Sequence, residues 1–216
     1  GRRMKVYEFG ADTAPVILLL PGTCCHWKSN FGQVIPLLQR DFRVLCVSYD
    51  GFDETESTEF PTMLAETEKI EAYILKNCGC SLGGSFVGLL AARKSIHMDY
   101  GILGSSDLDQ CSKLAAKLQT NFLLPLIYPL IRDGQFKSRF LQKRLEKLSA
   151  EKGDYVRAFM AMFGAARSYV TMQSCKNQFY SDLITPLPEG IDVPGTEIHI
   201  FYALKMGAKY RARYQQ

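Results

Sequence analysis

The run Gly79-Cys80-Ser81-Leu82-Gly83 sets a serine between two glycines, each two residues away. That arrangement lifts a hydroxyl out of a tight strand-to-helix turn, where it can attack a carbonyl carbon. Glycine suits both flanks because the turn strains the serine's backbone and leaves no room for a Cβ beside it. The chemistry would be nucleophilic: Ser81 Oγ takes the acyl group of an ester, and water or another nucleophile then removes it. The chain holds 17 glycines, so the pattern arises by chance in about one chain in ten of this composition and its context must carry it. Downstream, Ser85 to Arg93 has the small and apolar positions of a helix packed on a sheet, as such a turn requires. Upstream, the helical run Glu66 to Lys76 is followed only by Asn77 and Cys78 before Gly79, which leaves no strand to enter the turn.

The remaining elements define what could position that serine. Met4 to Phe9 alternates polar and apolar residues like an outer strand, and Val16 to Leu20 is apolar without alternation, the mark of a strand buried on both faces. Phe31 to Gln39 predicts a helix with Val34, Ile35, Leu37 and Leu38 inward, and Phe42 to Tyr49 predicts a second buried strand, completing one strand-helix-strand unit. Thr62 opens a helix with Leu64, Ile70, Tyr73, Ile74 and Leu75 along one side. Tyr100 to Gly104 and Glu197 to Leu204 predict two further strands. Between them, from Ser112 to Leu183, helical periodicity dominates, broken at Pro125, Pro129, Gly134, Gly153 and Gly164.

Composition bounds the function classes. A chain of 216 residues, 47% hydrophobic and 22% charged, is ordinary for one globular domain. Its 26 basic and 22 acidic residues are interleaved, giving only +4, which argues against nucleic acid as a partner. The basic residues Lys137, Arg139, Lys143, Arg144 and Lys147 read as a solvated helix face. Seven cysteines, an odd number, show no zinc-like pair of spacings, so no metal and no cofactor is expected, and a reducing, cytoplasmic setting is. The apolar run Phe122 to Ile131 is shorter than the ~20 residues of a membrane helix, so no membrane span is expected.

This order of elements resembles the α/β-hydrolase fold, and the segments resemble uncharacterised bacterial members of that superfamily. The resemblance implies a mostly parallel sheet flanked by helices, with a helical cap inserted before the last strand. Residues 1–111 and 191–216 would form the core and residues 112–190 the cap. Pro21-Gly22-Thr23 stands where many members have His-Gly-x, which implies that the backbone N–H groups of Thr23 and Leu82 form an oxyanion hole. Cys24, His26 and Trp27 follow as pocket residues. The implied substrate is a small ester, thioester or other acyl compound.

The family's histidine base has no counterpart here. Of three histidines, His26 stands beside the oxyanion loop, His97 follows the elbow helix and His199 falls in the last strand. In family members the base follows a later strand, so the resemblance implies a longer natural chain, with residues lacking before Gly79 and after Gln216. Asp107 is the candidate acid and Asp109 the fallback, each equally suited to capping the next helix. Asp50 and Asp53 are expected to shape a turn or the pocket rim. Two alternatives stay open: an acyltransferase using the same nucleophile, and a non-catalytic binding module on a hydrolase-like scaffold.

Overall fold

A computed structural model describes residues 4–77, 100–104, 111–163, 169–186, 195 and 197–201. Its first sheet has the order β1–β3–β2, with β3 (Arg43–Ser48) in the middle. β2 (Val16–Leu19) runs parallel to β3, pairing Leu18 with Leu45, and β1 (Lys5–Phe9) runs antiparallel along the other side, pairing Tyr7 with Cys46. The unalternating apolar run of β3 has its cause here. Leu45 and Val47 join Leu18, Phe52, Phe60 and Ile70 on one face, while Val44 and Cys46 pack with Trp27 and Ile35 on the other, so both faces of the pleat are core. β1 is half-buried, as the outer-strand pattern requires. A second pair, β4 (Tyr100–Gly104) and β5 (Glu197–Phe201), is parallel.

The link between β2 and β3 is two short helices, α1 (Trp27–Phe31) and α2 (Ile35–Leu38), where the sequence predicts one. His26 starts α1 early by accepting the Lys28 N–H on its ring nitrogen. Pro36, which has no N–H to bond back to Gly32, forces a new start for α2. Ile35 points inward as expected, but Val34 and Leu37 are exposed.

A similar correction applies to α3 (Met63–Asn77): Ile70 and Ile74 are buried, yet Leu64 and Leu75 face solvent, and Glu66 and Thr67 take inner positions instead. Polar residues sit there because the chain leaving β3 needs partners. Glu66 Oε1 accepts the Asp50 N–H at 2.9 Å, and Lys69 reaches both Asp50 and Glu66. Burial and the neighbouring Asp50 carboxylate push the Glu66 carboxyl up to about 7, against the pull of the Asp50 N–H and Lys69.

Among the described residues from 113 to 184 the regular elements are helices, and the two prolines behave unexpectedly. Pro125 and Pro129 do not break the chain: α4 (Lys113–Leu118) runs through a π turn (Gln119–Leu123) into α5 (Leu124–Asp133). The π turn places Pro125 in the first turn of α5, where its missing N–H costs little. The result is one 21-residue helix, long and apolar enough by length and composition to cross a membrane, with a third of its apolar window buried in the fold. It ends at Gly134, whose φ of 73° gives the left-handed cap that suits glycine. α6 (Arg139–Glu151), α7 (Gly153–Phe163) and α8 (Met172–Ile184) follow.

Two outcomes follow from this packing. At Gly51, φ is 79° and an added Cβ would lie 2.2 Å from Ser174 Oγ, whereas at Gly153 the nearest atom would be 3.9 Å away. Gly51→Ala is expected to cost about 2–4 kcal/mol, as strain and overpacking add, and Gly153→Ala about 0.5 kcal/mol or less; urea midpoints measure both. Because the folded pKa of Glu66 is raised from its ordinary 4.5 to about 7, its contribution is fully present below pH 4.5 and is lost as pH rises toward 7. Glu66→Gln should flatten that decline, as read by urea midpoints across the same range.

Candidate functional site

The loop leaving β2, Leu20 to Cys25, is fixed by a hydrogen bond at nearly every residue. Tyr49 Oη donates to the Pro21 carbonyl at 2.8 Å, and the Gly22 N–H donates to Asn30 Oδ1 at 2.9 Å. Cys24 holds a left-handed conformation, φ 58°, and its N–H donates to Gln178 Oε1 at 2.7 Å. The Cys25 N–H closes a turn on the Gly22 carbonyl at 3.1 Å. The amides of Gly22, Cys24 and Cys25 are thus committed, while among the described residues nothing accepts the Thr23 N–H. Thr23 itself is exposed and its hydroxyl donates to Asp182 Oδ2 at 3.3 Å.

The residues behind the loop are structural. His26 is fully buried, and both ring nitrogens are engaged: Nδ1 accepts the Lys28 N–H at 3.1 Å and Nε2 lies 2.7 Å from Glu54 Oε2. Accepting at Nδ1 puts the proton of the neutral ring on Nε2, where it serves Glu54. Lys28 Nζ bonds the other Glu54 oxygen at 2.7 Å and lies 5.3 Å over the Trp27 ring. Burial opposes the charge on Glu54, but the bonds from Lys28 and His26 outweigh it and hold the carboxyl below its ordinary value. Trp27 stacks on Tyr7 with ring centres 4.4 Å apart. Asp53 accepts from Thr55 N–H at 2.9 Å and Tyr7 Oη at 2.8 Å, shaping a turn.

The cysteines here offer no rival nucleophile. The Cys24 thiol hydrogen-bonds with Cys175 and is buried, both of which push its pKa well above the ordinary thiol range. Burial pushes Cys25 up to about 11 and Cys46 up to about 12. All three stay protonated at neutral pH, and the thiol is a far weaker nucleophile than the thiolate. Among the described residues, no group of three His, Cys, Asp or Glu side chains is placed to hold a metal ion.

Of the residues named from sequence, the structure brings Thr23, Cys24, His26 and Trp27 onto one loop and its helix. Ser81, Leu82, Asp107, Asp109 and His97 lie outside the described residues, and His199 falls on β5. Sequence reasoning missed Asn30, Glu54, Gln178 and Asp182. Asn30 sits four residues after His26, close enough in the first helix to be anticipated; Gln178 and Asp182 lie more than 150 residues away and carry no local signal.

Comparison with known proteins places the fold. No protein-family model matches the sequence, and no curated protein matches it. Solved structures do match, over nearly the whole chain. An alpha/beta hydrolase family protein from Desulfitobacterium hafniense aligns with a TM-score of 0.69 at 12% identity, covering 98% of this chain and 97% of its own. The enol-lactonase from Burkholderia xenovorans LB400 aligns at 0.60 with 16% identity, over 98% and 93% of the two chains. The 1H-3-hydroxy-4-oxoquinoline 2,4-dioxygenase aligns at 0.56 with 19% identity, over 97% and 81%.

If His26 is a cap and a packing residue, as its two bonds imply, His26→Ala should destabilise the protein by about 2–4 kcal/mol through the lost cap and the cavity beside Trp27. Thermal unfolding of the variant against the parent measures it.

Proposed function

The chain has the α/β-hydrolase fold, and we propose that it is a serine hydrolase that cleaves carboxylic esters or thioesters through an acyl-enzyme on Ser81. The observation that supports this reading best is the Thr23 N–H of the β2 loop, for which no acceptor is present among the described residues. Three of four consecutive positions, Gly22, Cys24 and Cys25, spend their N–H groups within the fold, which holds the Thr23 N–H in a fixed position without using it. A donor fixed before reaction stabilises a developing oxyanion with no reorganisation, worth about 10²–10³ in rate.

In this reading Ser81 Oγ attacks the acyl carbonyl while a base takes its proton, and the resulting oxyanion is held by the N–H groups of Thr23 and Leu82. Collapse expels the alcohol or thiol, which receives the proton, and water then hydrolyses the acyl-enzyme by the same steps. Asp107 is the candidate acid. His26 has no free nitrogen for the base role, so that role falls to a group outside the described side chains. Residues 112–190 serve as the cap that shapes the acyl pocket over a mostly parallel sheet, with Cys24 and Trp27 beneath the loop. The enol-lactonase among the structural neighbours favours a small ester or lactone. No metal or other cofactor takes part, and the free thiols of Cys24, Cys25, Cys46, Cys111 and Cys175 suit a cytoplasmic setting.

The engagement of His26 favours one other reading, a binding module that retains the fold without an activated serine. A dioxygenase among the neighbours underlines that this fold alone does not fix the chemistry. Labelling with a fluorophosphonate probe separates the two. The hydrolase reading expects stoichiometric labelling of the protein and none of Ser81→Ala; an unlabelled folded parent protein would establish the binding module.

A further inference from the structure

The helix formed by α4, the π turn and α5 buries Ala116, Thr120, Leu124, Leu130 and Ile131, yet Leu114 and Phe122 are each 70% exposed and Leu118 and Leu126 each 52%. These four side chains recur every four residues. In an uninterrupted α-helix such a row drifts by about 40° per step; the wider π turn between Leu118 and Phe122 offsets part of that drift and keeps the row on one side. The row is about 18 Å long, from the 1.5 Å helical rise, and it is a convex ridge rather than a groove.

Charge identifies what such a ridge would meet. Residues 112–152 carry nine Lys and Arg against three Asp and Glu, a net +6, while the whole chain carries only +4. No acidic residue interrupts the stretch from Lys113 to Arg132. α6, which follows, buries none of its residues. An apolar ridge in so basic a segment is the combination that lies in the headgroup boundary of an anionic bilayer, with leucine and phenylalanine inserted and lysine stems reaching back to the phosphates. A second copy of the chain would bring two +6 segments face to face.

We propose that this ridge docks the protein on anionic lipid surfaces, with Leu114, Leu118, Phe122 and Leu126 inserted and Lys113 and Lys117 at the headgroups. The helix lies on the membrane without crossing it, because its opposite side is packed against α8 and α7. The proposal is independent of the catalytic reading.

Co-sedimentation of the full chain with phosphatidylcholine vesicles, with and without phosphatidylserine, tests it. The expected result is binding to the phosphatidylserine vesicles that weakens between about 0.1 M and 0.5 M salt, as the Debye length falls from about 10 Å to about 4 Å, and that falls at least about tenfold in the Leu118→Glu, Phe122→Glu double variant. Both positions are exposed, so circular dichroism of the variant should match the parent. Leu37→Glu, equally exposed on α2, should bind like the parent. Absence of binding, equal binding to neutral vesicles, or binding untouched by the double variant would each overturn the proposal. So would lipid-free self-association, seen in sedimentation velocity and abolished by the same two substitutions.

Discussion

The chain between β3 and α3, and the loop after β2, have few backbone partners in a sheet or helix of their own, and one helix supplies what they lack. Ser174 Oγ accepts the Phe60 N–H, Ser181 Oγ accepts the Met63 N–H, Gln178 Oε1 accepts the Cys24 N–H and Asn177 Nδ2 donates to the Phe60 carbonyl. These side chains follow each other along α8 at helical spacing, and Ser174, Gln178 and Ser181 are buried. A buried backbone polar group left unpaired costs about 1–3 kcal/mol, and these contacts satisfy three N–H groups and one carbonyl of the two irregular segments. The requirement also explains Gly51: its missing side chain is what lets Ser174 approach the strand exit.

The same seam couples α8 to the loop that carries Thr23. α8 reaches that loop three times, through Gln178 to the Cys24 amide, through Asp182 to the Thr23 hydroxyl, and through Cys175 to the Cys24 thiol. A shift of α8 therefore moves the loop with it. His26, Glu54 and Lys28 anchor the other end, and the neutral cysteines fill space between. The loop's backbone is therefore held on both sides of Thr23 by bonds from other elements.

The sheet was legible because its cause is simple. Val16–Leu19 and the Val44 to Val47 stretch of β3 are runs of apolar residues, and a strand with core on both sides demands that and little else. Tyr100–Gly104 is found over the residues its pattern marks, and the expected hydrolase-like fold agrees with the solved structures that align. The helices were legible in type but less so in bounds and facing. Leu64 and Leu75 look like core and are outside, because Glu66 and Thr67 take the inner positions of α3, Glu66 to satisfy a backbone group; Val34 and Leu37 are outside as well, where the link divides into two short helices. Hydrophobic periodicity does not register that demand. Nor does it register the π turn, which converts Pro125 from an expected break into a helix start. Of the site, Thr23, Cys24, His26 and Trp27 could be placed on one loop from sequence, but the distant partners that fix them could not.

The pairing of β4 with β5 joins Tyr100 to Glu197. A ribosome adding about 5–20 residues per second needs about 5–20 s to bridge those 97 positions. Throughout that interval the edge of β4 that will pair with β5 has its neighbour still unsynthesised, and among the described strand pairs this is the widest separation in sequence, so that edge is exposed to other chains for longer than those of the first sheet.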